Sequence, residues 1–98
     1  MSEEDSFELP IDGTLDLHAF APRDVPSVVE EYLRECRARG ILRARVVHGR
    51  GRGVQRAVVR RLLAALPFVL ASEDASPELG GWGATLVTLR ASDHEREP

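Results

Sequence analysis

Lysine is absent, and all thirteen basic residues of the 98-residue chain are arginine. That absence by itself carries no functional weight. Cysteine occurs once, at position 36. A lone cysteine closes no internal disulfide, which fits a reducing compartment. Cys36 falls at helical spacing among apolar residues and reads as a small core residue. No apolar run approaches the ~18–20 residues needed to span a bilayer. The opening residues, Met1-Ser2-Glu3-Glu4-Asp5, are acidic and lack the basic and apolar regions of a secretory signal. The expected location is cytoplasmic, with no membrane partner. The length leaves room for one domain, and 43% apolar with 30% charged residues places the chain in the ordinary globular class.

A net charge of −3 hides an uneven distribution. Residues 34–61 carry ten arginines against one acid, Glu35, for a local charge of +9. The preceding segment, residues 1–33, stands at −8, and residues 62–98 stand at −4. Clustering matters more than the total when a polyanion docks on one face. For Arg34, Arg37 and Arg39 a solvated helix surface is an equal reading.

An acidic arm, residues 1–12, and a polar tail, residues 92–98, flank a patterned region over 13–91. Thr14-Leu15-Asp16-Leu17-His18 alternates and predicts a strand, with Asp16 and His18 sharing one face. Asp24 is placed as the N-cap of a helix whose apolar stripe is Val25, Val28, Val29, Tyr32, Leu33 and Cys36, with Gly40 at its end. Residues 41–47 lead into a second strand. The spacing predicts a second helix over about 54–66, with Val54, Val58, Leu62 and Leu66 inward. Pro67 stops it. Phe68–Ser72 and Ala84–Leu89 are the last strands. The order β-α-β-α-β-β implies an α/β two-layer sandwich: a four-stranded mixed sheet with both helices on one face, strands 1 and 2 parallel and the last two antiparallel.

Chemistry concentrates where strand two ends. Val46-Val47 runs into His48-Gly49-Arg50-Gly51-Arg52-Gly53, and the second helix follows. A strand, a glycine-rich turn and a helix N-terminus together suit a phosphate group. The N–H groups of Gly49, Gly51 and Gly53 are candidates to cradle it, and Arg50 and Arg52 to grip backbone phosphates. Parallel strands bring their C-terminal ends together, so Asp16 and His18 should lie beside this turn. Histidine changes charge near neutral pH, so His18 is the candidate general base or acid, oriented by Asp16. His48 is the candidate second proton carrier or phosphate contact. Asp16 and His18 could equally be polar residues of a solvated face, and His48 could cap the strand end. Gly80, Gly81 and Gly83 serve a turn near the site. Trp82 either covers the core or offers a stacking platform for a base.

Three blocks, Leu15-Asp16-Leu17-His18, His48-Gly49-Arg50-Gly51 and Gly80-Gly81-Trp82-Gly83-Ala84-Thr85, resemble in order and spacing the motifs of the Smr (small MutS-related) domain family, of its stand-alone type. The resemblance implies a fold similar to the C-terminal domain of bacterial translation initiation factor 3. It also implies endonuclease activity on DNA or RNA with little sequence preference. The family's Asp-x-His pair falls on Asp16 and His18, its glycine-loop motif on His48, Gly49 and Gly51, and its late glycine motif on Gly80, Gly81 and Gly83. With the residue chemistry above, catalysis is expected of Asp16, His18 and His48, and substrate binding of Gly49, Arg50, Gly51, Arg52, Gly53, Gly81, Trp82 and Gly83. Partners would be nucleic acid and, in some family members, the ribosome. Magnesium or manganese as cofactor, or none, stays open, as does oligomeric state. Ala19 stands where the family usually has glycine, and a shifted loop beside His18 is the expectation. Competing readings are a non-catalytic nucleic-acid or ribosome-docking module and a domain binding a small phosphorylated ligand.

Overall fold

A computed structural model describes residues 11–49 and 53–92. Arg50, Gly51 and Arg52, proposed above as phosphate contacts, lie outside the described residues. Strands β1 (Thr14–Asp16), β2 (Arg43–Val47), β3 (Val69–Asp74) and β4 (Ala84–Leu89) form one sheet in the order β1-β2-β4-β3. β1 and β2 are parallel, while β4 runs antiparallel to both β2 and β3. Helices α1 (Val25–Ala38) and α2 (Val54–Ala65) supply the crossover elements. Leu15, Ala44, Val46, Val87 and Leu89 of the sheet join the buried residues of both helices in one apolar cluster. Both helices therefore cover the same face, as the element order implies. The other face carries Thr14, Arg43, Arg45 and Leu86 along a shallow concavity.

Helix α1 buries Val25, Val29, Tyr32, Leu33 and Cys36, matching the sequence stripe, with Val28 half-buried. It closes in a Schellman turn. Gly40 takes φ +77, its N–H donates to Arg37 O, and Ile41 N–H donates to Cys36 O. The start of α1 corrects the sequence reading. Asp24 makes no side-chain cap, because its backbone is already helical (φ −90, ψ −10) after the 3-10 turn Pro22–Asp24. A capping side chain needs an extended backbone.

Two further corrections concern the elements that carry the site. The strand expected through His18 stops at Asp16, and Leu17–Ala19 form a 3-10 turn. Asp16 caps that turn by accepting the His18 N–H, so a local side-chain bond competes with the ladder and wins. In α2 the inward residues are Val59 and Leu63, with Leu66 just beyond the helix; Val58 and Leu62 are half-buried and Val54 is 65% exposed. Both stripes have the helical period. Docking rotates the helix by one residue, and Val54, at its first position, remains at the loop end. β3 also starts one residue later than expected and runs on to Asp74, with an irregularity between Val69 and Ala71.

The short β1 is held from outside the sheet. Tyr32 Oη accepts the Gly13 N–H (3.0 Å) and donates to Thr14 O (3.0 Å). Tyr32→Phe should leave the buried Gly13 N–H without its acceptor and cost about 1–3 kcal/mol in urea unfolding. An unchanged midpoint would contradict this anchoring.

Candidate active site

The register Asp16↔Val47 sets the end of β1 beside the end of β2. Asp16 Oδ1 receives two bonds from His18, one from its backbone N–H (2.9 Å) and one from ring Nδ1 (2.6 Å). The backbone bond, then the ring bond, hold the Asp16 carboxyl below its ordinary range. A carboxylate only accepts, so Nδ1 carries a proton, and in the neutral ring Nε2 keeps its lone pair. Nε2 lies over the glycine turn: a Cβ built on Gly49 would stand 3.3 Å from it, and Gly49 has φ +83. The left-handed backbone is what calls for glycine at position 49. The dyad is open to solvent, with side-chain exposures of 70% for His18 and 62% for Asp16.

His48 lies on the other side of the sheet. It is 8% exposed, and both ring nitrogens are engaged, Nδ1 with Gly49 O (3.0 Å) and Nε2 with Thr85 Oγ1 (2.9 Å). Since a carbonyl only accepts, Nδ1 donates and the Thr85 hydroxyl donates to Nε2. Burial pushes His48 below the ordinary histidine value, which favours this neutral form. The ring thus supports the turn from beneath and offers no free nitrogen to a ligand. The backbone of the same segment is also clamped: His48 N–H (3.0 Å) and Gly49 N–H (2.9 Å) both donate to Gly83 O. The second and third glycine motifs are one unit, and the Gly49 N–H is not available to a phosphate. At Gly53, by contrast, α2 begins with no side-chain cap, and the N–H groups of its first turn have no acceptor within the helix.

The sequence profile of the Smr domain family matches residues 15–90. This chain belongs to the Smr domain family. It is 36% identical over 76 residues to endonuclease MutS2 of Thermus thermophilus, covering 78% of this chain and 10% of that protein. It is 30% identical over 83 residues to endonuclease MutS2 of Caldicellulosiruptor saccharolyticus, covering 85% of this chain and again 10% of the relative. The chain thus spans about a tenth of the length of these curated relatives. Among solved structures, the Smr domain of T. thermophilus MutS2 superposes with a TM-score of 0.74 at 35% identity, covering 79% of this chain and 96% of that one. YdaL, a stand-alone small MutS-related protein from Escherichia coli, superposes with a TM-score of 0.76 at 29% identity, covering 83% and 66%.

Within this Smr domain most of the described arginines of the basic segment are already engaged. Arg34 pairs with Glu30 and Arg39 with Glu35. Arg37 donates to Arg90 O and lies over Phe68. Arg56 and Arg60 converge on Asp74 Oδ1, each at 2.7 Å. Arg45 donates to Leu79 O (2.6 Å) beside Asp16. For Arg34 and Arg39 the solvated-surface reading holds. Thr85, Asp74 and the Gly83 carbonyl were not legible as site components, because only the fold brings β3 and β4 under the glycine turn. Trp82 is no part of the core cluster and is 41% exposed. It rests against Gly53 and takes Arg56 over its ring at 4.8 Å.

Ala19 is accommodated without strain: no non-glycine residue has positive φ among the described residues, and Ala19 is exposed. No group of three His, Cys, Asp or Glu capable of holding a metal ion occurs among the described residues. Asp16 and His18 offer two donors, so a divalent ion held there would take its other ligands from water and substrate phosphate. No helix among the described residues is long and apolar enough to cross a membrane.

The depressed His48 value fixes the sign of a pH effect. The unfolded chain takes up this proton more readily, so the contribution is complete above about pH 6.5 and is lost as pH falls below it. Urea unfolding should show stability declining from about pH 6.5 toward pH 5, and His48→Gln should flatten that slope. An identical slope in the variant would contradict the buried neutral imidazole.

Proposed function

We propose that this Smr domain is an endonuclease that cleaves DNA or RNA phosphodiesters with little sequence preference. The observation that carries the reading is the Asp16–His18 bond, which leaves a basic Nε2 exposed above the glycine turn. In this reading Nε2 accepts the proton of the attacking water as its oxygen bonds to phosphorus. Asp16 stabilises the imidazolium that results. The bond to the leaving oxygen then breaks, and the imidazolium returns the proton to that oxygen. Charge on the phosphoryl oxygens is met by the uncapped first turn of α2, with Gly53 at its head, and by Arg50 and Arg52. His48 acts by holding Gly49 in place.

The name endonuclease in the MutS2 relatives supports the chemistry, and the shared fold around the three motif blocks supports its location. A ribosomal partner, a cytoplasmic location and use of magnesium or manganese remain expectations of the same reading.

The test is cleavage of labelled single- and double-stranded DNA and RNA, with magnesium, with manganese and with chelator. His18→Ala should lose about 10²–10⁴-fold in rate. Asp16→Ala should lose a comparable factor, because it removes the acceptor that orients Nδ1–H and the carboxylate that stabilises the imidazolium. Binding should survive both changes. Undiminished cleavage in both variants would remove the mechanism. Salt-sensitive binding without cleavage in any metal condition would favour a docking module.

A further inference from the structure

Three of the four large apolar side chains exposed among the described residues, Val54, Leu79 and Trp82, lie in or next to the glycine turns of the second and third motifs. Val54 opens α2 directly after Gly53, and Leu79 closes the 3-10 turn Pro77–Leu79 that precedes Gly80. Trp82 meets Gly53, the residue before Val54. Its indole has a neighbour at its edge and another on one face. Gly81 takes φ +55, the benzo edge of the indole meets Gly53, where a Cβ would come within 3.0 Å of Cη2, and the Arg56 guanidinium covers the ring at 4.8 Å. Arg56 is itself held by Asp74. The next residue, Gly83, supplies the carbonyl that clamps His48 and Gly49. A half-exposed indole is thus fastened to the same turn over which His18 Nε2 lies.

We infer that Trp82, backed by Arg56, is a stacking site for an unpaired nucleobase next to the phosphate at the dyad. The inference rests on the nuclease reading and narrows its substrate to strands with an exposed base. A duplex turns its phosphates outward and gives an apolar rim little to bind. A base in a single strand, a frayed end or a flipped position offers a π-face, and stacking on aromatics is indifferent to base identity. The guanidinium on the indole adds a cation–π layer and places positive charge beside the adjoining phosphate. Trp82 is then a positioning residue, since it contacts the base and sets the strand over the dyad while His18 handles the proton.

Trp82 is the chain's single tryptophan, so its fluorescence reports on this site alone. The His18→Ala protein should be titrated with a ten-nucleotide oligothymidylate, with an abasic oligomer of equal phosphate number and with a blunt duplex. The expected result is saturable quenching by the oligothymidylate and little by the other two. Trp82→Ala, read by anisotropy of labelled oligomers, should weaken oligothymidylate binding about 5- to 100-fold and leave abasic binding unchanged. Trp82→Phe should keep most of the affinity. Equal quenching by the abasic oligomer, equal weakening of both oligomers in Trp82→Ala, or no quenching at all would overturn the stacking site. Cleavage by the wild-type protein is scored separately. Base-selective quenching in a protein that never cuts would contradict the nuclease reading and leave the stacking site intact.

Discussion

The parallel pairing of β1 with β2 is the constraint on which the rest depends. Three residue pairs, ending at Asp16 against Val47, bring two strand tips into line. Without that register the carboxylate and imidazole of one motif would have no glycine turn beside them. The pairing is short, so it leans on neighbours. Leu15 is buried in the core, and Tyr32 of α1 holds the backbone at Gly13 and Thr14. A helix residue nineteen positions from Gly13 is thereby part of what positions the dyad.

From that register the three motif blocks divide the work. The first ends its strand early so that Asp16 can hold His18 by backbone and ring together. The second passes under His18 at Gly49, where a side chain would crowd Nε2. The third reaches across from β4, and its Gly83 carbonyl gathers two N–H groups of the second. The two histidines are sorted by burial. His18 is exposed with one nitrogen free, whereas His48 is enclosed with both nitrogens bonded. Two residues of one type and similar motif context therefore take different parts, one facing the solvent and one supporting the backbone.

Periodicity made the architecture readable in advance. Alternation in β4, the stripe of α1 and the two crossovers follow from spacing alone, and so does the meeting of strand tips. What spacing could not decide were choices made by single bonds or by docking. Alternation continues through His18, yet the Asp16 side chain ends the strand. The stripe of α2 fits two rotations that differ by one residue, and packing selects the one led by Val59 and Leu63. Asp24 has the residue type of a cap but the wrong backbone. The surroundings of His48 depend on Thr85, thirty-seven residues away, which no local pattern relates to it. Charge counting likewise overstated the free basic surface, because Arg56 and Arg60 share Asp74 and Arg34 and Arg39 have helix partners.

The central claim is that Asp16 fixes the proton of His18 on Nδ1 and leaves Nε2 bare toward the glycine turn. Long-range proton–nitrogen correlation spectra of the imidazole report that arrangement directly. In its neutral form the His18 ring should show a protonated Nδ1 and an unprotonated Nε2, and Asp16→Ala, which removes the acceptor, should let the proton move to Nε2. A His18 ring already carrying its proton on Nε2 in the unaltered protein, or one indifferent to the change at Asp16, would contradict the account.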